Sequence, residues 1–250
     1  MLLISIWRIA AGRGQTTVRI GVLALQGDFS EHLAMVAESG WRGVPVKEAA
    51  DLVGLDGLVL PGGESTAQCL LLEASGLRCP ITEELRDGLP ALGTCAGLIM
   101  LSRTVIGGRE DQWSFGVLDV AVRRNGFGRQ VRSFEANLVV EGLVDVMRAV
   151  FIRAPVITEV GDKVEVLASV PYRFPDGTQV QVPVVVAEGS LVASSFHPEL
   201  AGDPRLHELA FGRSVGRSIA DIVSTLDERE ERYVGSFQMG DDQTQEGRSG

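Results

Sequence analysis

Three short stretches carry residues whose types and spacing could attack a carbonyl carbon. In LGTCAGLIM, Cys95 stands with Gly93 and Gly97 two positions away on either side. G-x-C-x-G is the thiol counterpart of the nucleophile elbow, a strand-to-helix turn whose strained backbone projects the nucleophile and whose bulky neighbours would clash. A helix beginning just after Cys95 would present unpaired amides and the positive end of its dipole, which favour thiolate over thiol. The same letters also suit a buried structural cysteine beside two packing glycines, so the chemistry needs further parts.

SSFHPEL supplies two of them, His197 and Glu199, separated by a proline. A thiol nucleophile needs a base that takes its proton and later returns one to the leaving amine, and an imidazole does this near neutral pH. A carboxylate then fixes the imidazole tautomer and stabilises the imidazolium. Alone, His-Pro-Glu is equally a solvated turn; its weight comes from occurring together with the cysteine elbow. The other two histidines, His32 and His207, fall in the expected first and last helices, where a surface position is expected for each. The third stretch is LVLPGGESTA, a strand running through Gly62, Gly63, Glu64 and Ser65 into a helix. Glycines let the backbone approach a ligand, so amides near Gly63 and at Ala96 can together receive an oxyanion. A phosphate-binding loop would place a lysine after the glycines, and none is present.

The elements that must hold these stretches follow from hydrophobic patterning. Short apolar runs ending in glycine or small polar residues, each followed by a segment of helical spacing, predict parallel strands with crossover helices in the first half. Strands are expected at residues 20–25, 57–60 and 90–93 and helices at 30–38 and from 96 to 101, so that each strand ends where a motif begins. Ligands in open parallel sheets bind at such carboxyl ends. The second half is richer in β-branched runs, at residues 117–122, 134–140, 150–153, 164–170 and 182–195, which predict antiparallel strands and hairpins on the same sheet. A Pro-Asp-Gly turn within residues 171–183 predicts a surface hairpin without chemistry. A last amphipathic helix is expected over about residues 204–225.

With 250 residues and 45% hydrophobic content, the chain can bury one substantial core. The domain is expected over residues 19–226, after a disordered extension (1–18) whose apolar run lacks the charged start of a signal peptide, and before a polar, disordered tail (227–250). Acidic side chains outnumber basic ones 33 to 23, a net charge of -10, so no basic surface is expected to bind nucleic acid. No run approaches the roughly 20 apolar residues of a membrane span. Cys69, Cys79 and Cys95 fit neither a disulfide framework nor a zinc site, which implies a reducing, cytoplasmic setting.

Together the motifs resemble the triad glutamine amidotransferases, and within them the PdxT/SNO family of glutaminase subunits of pyridoxal 5'-phosphate synthase. The resemblance spans about residues 20–210 and rests on LALQGDFSEH, LPGGEST, GTCAGLIML, RRNGFGRQ, FEANL, FIRAP and SFHPEL. It implies an α/β, three-layer class I glutamine amidotransferase (flavodoxin-like) fold, with a central, mostly parallel sheet, helices on both faces and extra antiparallel strands. By motif, Cys95 would be the nucleophile and His197 and Glu199 the rest of the triad. Gly63, Glu64, Ser65, Arg124, Ile152 and Arg153 would bind glutamine, with Gly63 and Ala96 as the oxyanion hole and Gln26 a further residue facing the site. A carboxylate, backbone groups and a guanidinium suit an α-amino acid, although Glu64 could equally cap a helix and Arg124 be solvated. The resemblance implies L-glutamine as substrate, no metal or cofactor, and as partner the synthase subunit PdxS, a barrel enzyme that builds the pyridoxal ring from a pentose phosphate and a triose phosphate. The N-terminal extension, the 171–183 insertion and the polar tail depart from the family pattern without touching the triad, and the insertion bears on partner docking.

The residues leave three other readings open: an amidotransferase serving another acceptor, a thiol esterase of the α/β-hydrolase kind, and a binding module in which Cys95 is structural. Against the esterase, the acid here follows the histidine, whereas that fold places it between nucleophile and histidine.

Overall fold

The computed structural model of the chain describes residues 17–109, 112–127, 133–173 and 177–214. The first half alternates strand and helix: β1 (Arg19–Leu23), α1 (Phe29–Glu38), β2 (Arg42–Val46), β3 (Gly57–Leu60), α2 (Ser65–Ala74), α3 (Arg78–Arg86), β4 (Ala91–Thr94) and α4 (Ala96–Leu101). The second half is mostly strand: β5 (Ser102–Ile106), β6 (Leu118–Arg123), β7 (Ser133–Leu138), β8 (Met147–Ile152), β9 (Val156–Val160), β10 (Glu165–Arg173), β11 (Gln179–Glu188) and β12 (Leu191–Ser194), closed by α5 (Arg205–Ser214).

Seven strands form the main sheet in the order β10-β11-β12-β4-β3-β1-β2. From β12 to β2 every pairing is parallel, while β10 and β11 add an antiparallel edge. Side chains alternate across a strand, and here the alternation feeds a core on each face. Ile20, Val22, Val59, Leu92, Val185 and Val192 turn to one face, where Val36 of α1 and Leu206, Leu209 and Phe211 of α5 cover them. Leu23, Leu58, Leu60, Ala91, Val186 and Leu191 turn to the other, under Leu72, Ile81, Leu85, Leu98 and Met100 from α2, α3 and α4. Buried on both faces, these strands read as continuous apolar runs, as parallel strands must. The result is the three-layer α/β architecture that the sequence implied.

The expectation that all later strands join this sheet holds only for β10, β11 and β12. Strands β5, β6 and β9 form a separate three-stranded sheet and β7 and β8 a two-stranded one. Each covers an end of one core: Leu118, Val120 and Ile157 on the α4 side, Ala149, Phe151 and Leu138 on the α5 side. The run at 182–195 is two strands rather than one, because Gly189, at φ 57°, turns the chain between β11 and β12. The predicted hairpin is β10–β11, with Pro175 and Asp176 of its turn outside the described residues. Val18, inside the expected extension, packs against the core, and its carbonyl accepts a hydrogen bond from the Arg42 amide. The remainder of the extension, the polar tail and the end of the predicted last helix lie outside the described residues.

Chain direction fixes where a site can form. After β1 the chain passes through α1 to β2 on one side, then returns to β3 on the other, so the strand order reverses between β1 and β3. The loops after β1, β3 and β4 gather at that crevice.

Candidate active site

Cys95 occupies the bend between β4 and α4 with φ 50° and ψ -99°, a conformation that non-glycine residues rarely adopt. Its amide is tied to the Ser194 carbonyl of β12 at 2.8 Å. The flanking glycines are required on steric grounds. A Cβ on Gly97 would fall on the Leu60 carbonyl of β3, and one on Gly93 would meet the Gly97 backbone at 2.7 Å.

His197 arrives from the end of β12. Its amide donates to the Val150 carbonyl of β8, fixing the backbone at 2.9 Å. The PGG loop lies against the imidazole, since a Cβ on Gly62 would collide with the ring. On one side His197 hydrogen-bonds Cys95; on the other its Nδ1 lies 2.7 Å from Glu199 Oε1. Burial alone would lower the imidazole pKa, but the hydrogen bonds and negative charges of Cys95 and Glu199 outweigh it and push His197 up to about 10. Glu199 is raised from its ordinary value by burial, which His197 opposes. Both directions favour a proton shared along this row. The structure therefore brings Cys95, His197 and Glu199 into one contiguous line.

A cavity of about 460 Å³ opens over this line, within the range of small-molecule sites. Gly63, Glu64, Ser65, Arg124, Ile152 and Arg153 all line it beside Cys95 and His197. Ala96, the oxyanion-hole candidate beside Cys95, is the buried first residue of α4 and is not among the residues that line the cavity. Glu64 does cap α2, accepting from the Thr66 and Ala67 amides at 3.2 and 2.7 Å, and it also pairs with Arg124 at 2.7 Å. Burial works against the Glu64 carboxylate, but the Ala67 and Thr66 amides and Arg124 together hold its pKa below the usual value. Arg124 is only partly solvated: it also donates to Thr66 Oγ1 at 3.0 Å and Gln112 Oε1 at 2.6 Å. Gln26 holds the PGGE loop from beneath, accepting from the Glu64 amide at 2.9 Å.

Several contributors were not singled out from the sequence. Asp28 lines the cavity with Oδ2 3.5 Å from His197 Nδ1, and its place just after β1 is the signal that could have marked it. Gln112 steadies Arg124 and Ser65, and buried Gln68 joins the loops after β1 and β3 by donating to the Gln26 carbonyl at 3.4 Å and the Pro61 carbonyl at 3.1 Å. Neither has a sequence signature. Cys95, Asn125 and Arg153 are the three non-glycine residues with positive φ among the described residues, and all three line this cavity. Backbone strain of this kind persists where the surroundings impose it, and it concentrates at functional sites.

The surface positions expected for His32 and His207 are wrong. Both are fully buried behind the site, because each takes a core-facing place on its helix, His32 with Met35 and Val36 and His207 with Leu206 and Ala210. The atoms of Asp28, His197 and Glu199 lie within 4.8 Å of one another, close enough to hold a cation. However, the imidazole nitrogen turned toward both carboxylates already shares its proton with Glu199 at 2.7 Å.

Fold and site together define a class I glutamine amidotransferase. A crystal structure described as a glutamine amidotransferase superposes with a TM-score of 0.69 at 44% identity, covering 79% of this chain and 99% of that one. One chain of a structure described as PurLQS from Thermotoga maritima shares the fold alone, with a TM-score of 0.53 at 16% identity, covering 82% of this chain and 99% of that one. The chain belongs to the SNO glutamine amidotransferase family, whose family model matches residues 22–216. It is 52% identical over 191 residues to the pyridoxal 5'-phosphate synthase subunit PdxT of Rhodococcus opacus, covering 76% of this chain and 94% of the relative. The PdxT of Frankia casuarinae is likewise 52% identical over 192 residues, covering 76% of this chain and 92% of its own.

Proposed function

We propose that this amidotransferase hydrolyses L-glutamine to L-glutamate and ammonia at Cys95, and that the ammonia feeds a partner subunit in the synthesis of pyridoxal 5'-phosphate. The observation that carries this reading is the row in which His197 touches Cys95 on one side and buried Glu199, at 2.7 Å, on the other. Cys95 Sγ, its proton held by His197, attacks the carboxamide carbon. The oxyanion is received by the amides of Gly63 and Ala96. The C–N bond breaks as His197 returns the proton to the nitrogen, which leaves as ammonia. Water, deprotonated by His197, then hydrolyses the glutamyl thioester, releasing glutamate and restoring the thiol. Every bond change is met by the chain's own groups and one water.

Glutamine would lie along the cavity with its α-carboxylate toward Arg124 and its α-amino group toward Glu64, Ser65, Ile152 and Arg153 serving as further contacts. Charge-assisted bonds of this kind fix a small zwitterion at both ends. Ammonia is a nucleophile only while unprotonated, so its acceptor must dock over the site and exclude bulk water. The relatives are named as subunits of pyridoxal 5'-phosphate synthase, and the acceptor proposed here is accordingly the barrel subunit PdxS. Among the described residues no helix is long and apolar enough to cross a membrane, and all three cysteines are free; a reducing cytoplasm is the proposed setting.

The test is ammonia release from glutamine by the chain mixed with the synthase subunit. Replacing Cys95 with alanine is expected to lower turnover by at least about 1,000-fold, as loss of a nucleophile does elsewhere. A variant that keeps wild-type turnover removes Cys95 from the chemistry.

A further inference from the structure

Behind the triad, on the side away from the cavity, two histidines take no part in the steps above. His32 of α1 and His207 of α5 are fully buried, with His32 Nδ1 2.8 Å from His207 Nε2. The other nitrogen of His32, Nε2, lies 3.1 Å from Thr94 Oγ1 and 3.4 Å from Glu199 Oε2. Glu199 Oε2 and His207 Nδ1 are buried and make no hydrogen bond among the described residues. The row that starts at Cys95 therefore continues through Glu199 to His32 and ends at His207.

The protons on this row can be assigned. Burial first, then the neighbouring His207 and His197, hold His32 well below the ordinary imidazole range, and burial lowers His207 to about 4. Both rings are neutral at pH 7, with one N–H each. Suppose His32 carried its proton on Nδ1. It would donate to His207 Nε2, forcing the His207 proton onto Nδ1, a buried donor with no partner. It would also turn the lone pair of His32 Nε2 toward the Glu199 carboxylate. The opposite tautomer avoids both costs. His207 then donates from Nε2 to His32 Nδ1, and His32 Nε2–H points between Thr94 and Glu199. The two unpaired atoms left, His207 Nδ1 and Glu199 Oε2, are both acceptors, which proteins tolerate more readily than an orphaned donor.

We propose that His32 is a positioning residue for the triad: its Nε2–H bonds Thr94 Oγ1 and sets its positive end 3.4 Å from Glu199 Oε2, which keeps Oε1 turned to His197, while His207 fixes the tautomer of His32 from behind. The consequence for the reaction, which rests on the glutaminase reading above, is electrostatic. The buried Glu199 must stay ionised to stabilise the imidazolium of His197, and the polarised N–H edge of His32 beside its second oxygen opposes the desolvation that works against that charge. Without it, Glu199 can turn or take the proton, and the thiol loses its base. Glutamine does not touch His32, so binding is unaffected.

The chain has three histidines, so selective 15N labelling of histidine gives an assignable spectrum. The unmodified chain should show His32 protonated at Nε2 and not at Nδ1; the reverse tautomer overturns the proposal without any variant. His32→Leu, assayed with the synthase subunit, should lower kcat for glutamine hydrolysis by about fivefold, somewhat less than a full hydrogen bond to a charged group supplies, with KM within about twofold. His32→Gln, whose amide can place an N–H near the same point, should recover most of that loss. Full kcat in His32→Leu, or no recovery in His32→Gln, overturns the assignment and leaves His32 as packing alone. If the unmodified chain releases no ammonia, the glutaminase reading fails instead, while the tautomer still answers for His32.

Discussion

At the scale of single residues, Arg124 shows how one side chain can serve the helix framework and the substrate at once. Three of the five guanidinium N–H groups are committed, to Thr66, Gln112 and Glu64, which leaves two for a carboxylate in the cavity. Its pairing with Glu64 has little to do with stability. The Glu64 side chain is half exposed, at 53%, and exposed pairs contribute under about 1 kcal/mol. Glu64 also keeps its two amide bonds to the start of α2 when the guanidinium is removed. Arg124→Met should therefore raise KM for glutamine by about tenfold or more, the weight of a charge-assisted contact, with a thermal midpoint close to wild type. Alkylation of Cys95 by iodoacetamide, which needs no amino-acid recognition, should keep its rate. An unchanged KM would take Arg124 out of the binding site.

At the scale of elements, α4 has to approach β3 closely enough to aim Cys95 at the crevice, and Gly97 is the point of contact. Alanine there would set its methyl group on the Leu60 carbonyl, a backbone atom with nowhere to go. Gly97→Ala should cost at least about 2 kcal/mol in urea unfolding, the scale of overpacking in a filled core. Gly76→Ala meets nothing within 4 Å and carries only the penalty of φ 71°, about 1 kcal/mol. Equal losses at the two positions would show that α4 and β3 part enough to relieve the contact at Gly97. Elements built on this pattern were legible: β3, β4 and α4 stand where buried apolar runs meet small residues, and Cys95 with them. Other elements left weaker traces. β2 reads RGVPV, and its Pro45 is compatible with a strand only because β2 lies at the sheet edge. In α3 only Ile81 and Leu85 are buried, too short an apolar stripe to mark a helix. His32 was readable after all, since it sits three and four positions before Met35 and Val36 on one face of α1. A titratable residue on an apolar stripe was assigned to the surface when the period placed it in the core. Gln112 and Gln68 could not be read from the sequence, because their roles depend on loops that meet only in the fold.

At the scale of the whole molecule, the buried histidines make stability depend on pH in a definite direction. An unfolded histidine takes up a proton near pH 6.5, whereas His207 in the native protein does so only at about 4 and His32 well below its ordinary value. Between those limits the unfolded chain binds more protons than the native one, so stability rises with pH through this window and is lost on acidification. For His207 the shift corresponds to roughly 3 kcal/mol, a large part of the 5–15 kcal/mol typical of a domain. His197 acts in the opposite sense. Its pKa is raised to about 10, so the stability it supplies is complete below 6.5 and fades as pH climbs through about 10. Glu64, held below the usual carboxylate value, adds a further loss only under about pH 4.5. Glu199, raised by burial, takes up its proton in the native chain above pH 4.5 and offsets part of this loss, so the share of each histidine is read from a variant in urea unfolding followed from pH 7 down to 4.5. The free energy should fall by several kcal/mol across that range. His207→Gln keeps an amide donor for His32 and cannot ionise, so its curve should be flatter by roughly 2 kcal/mol at pH 4.5. A variant that tracks the wild-type slope would mean that His207 takes up its proton at the same pH in the native and unfolded chains, and in mild acid a charge would then sit behind the triad where the structure has a neutral ring.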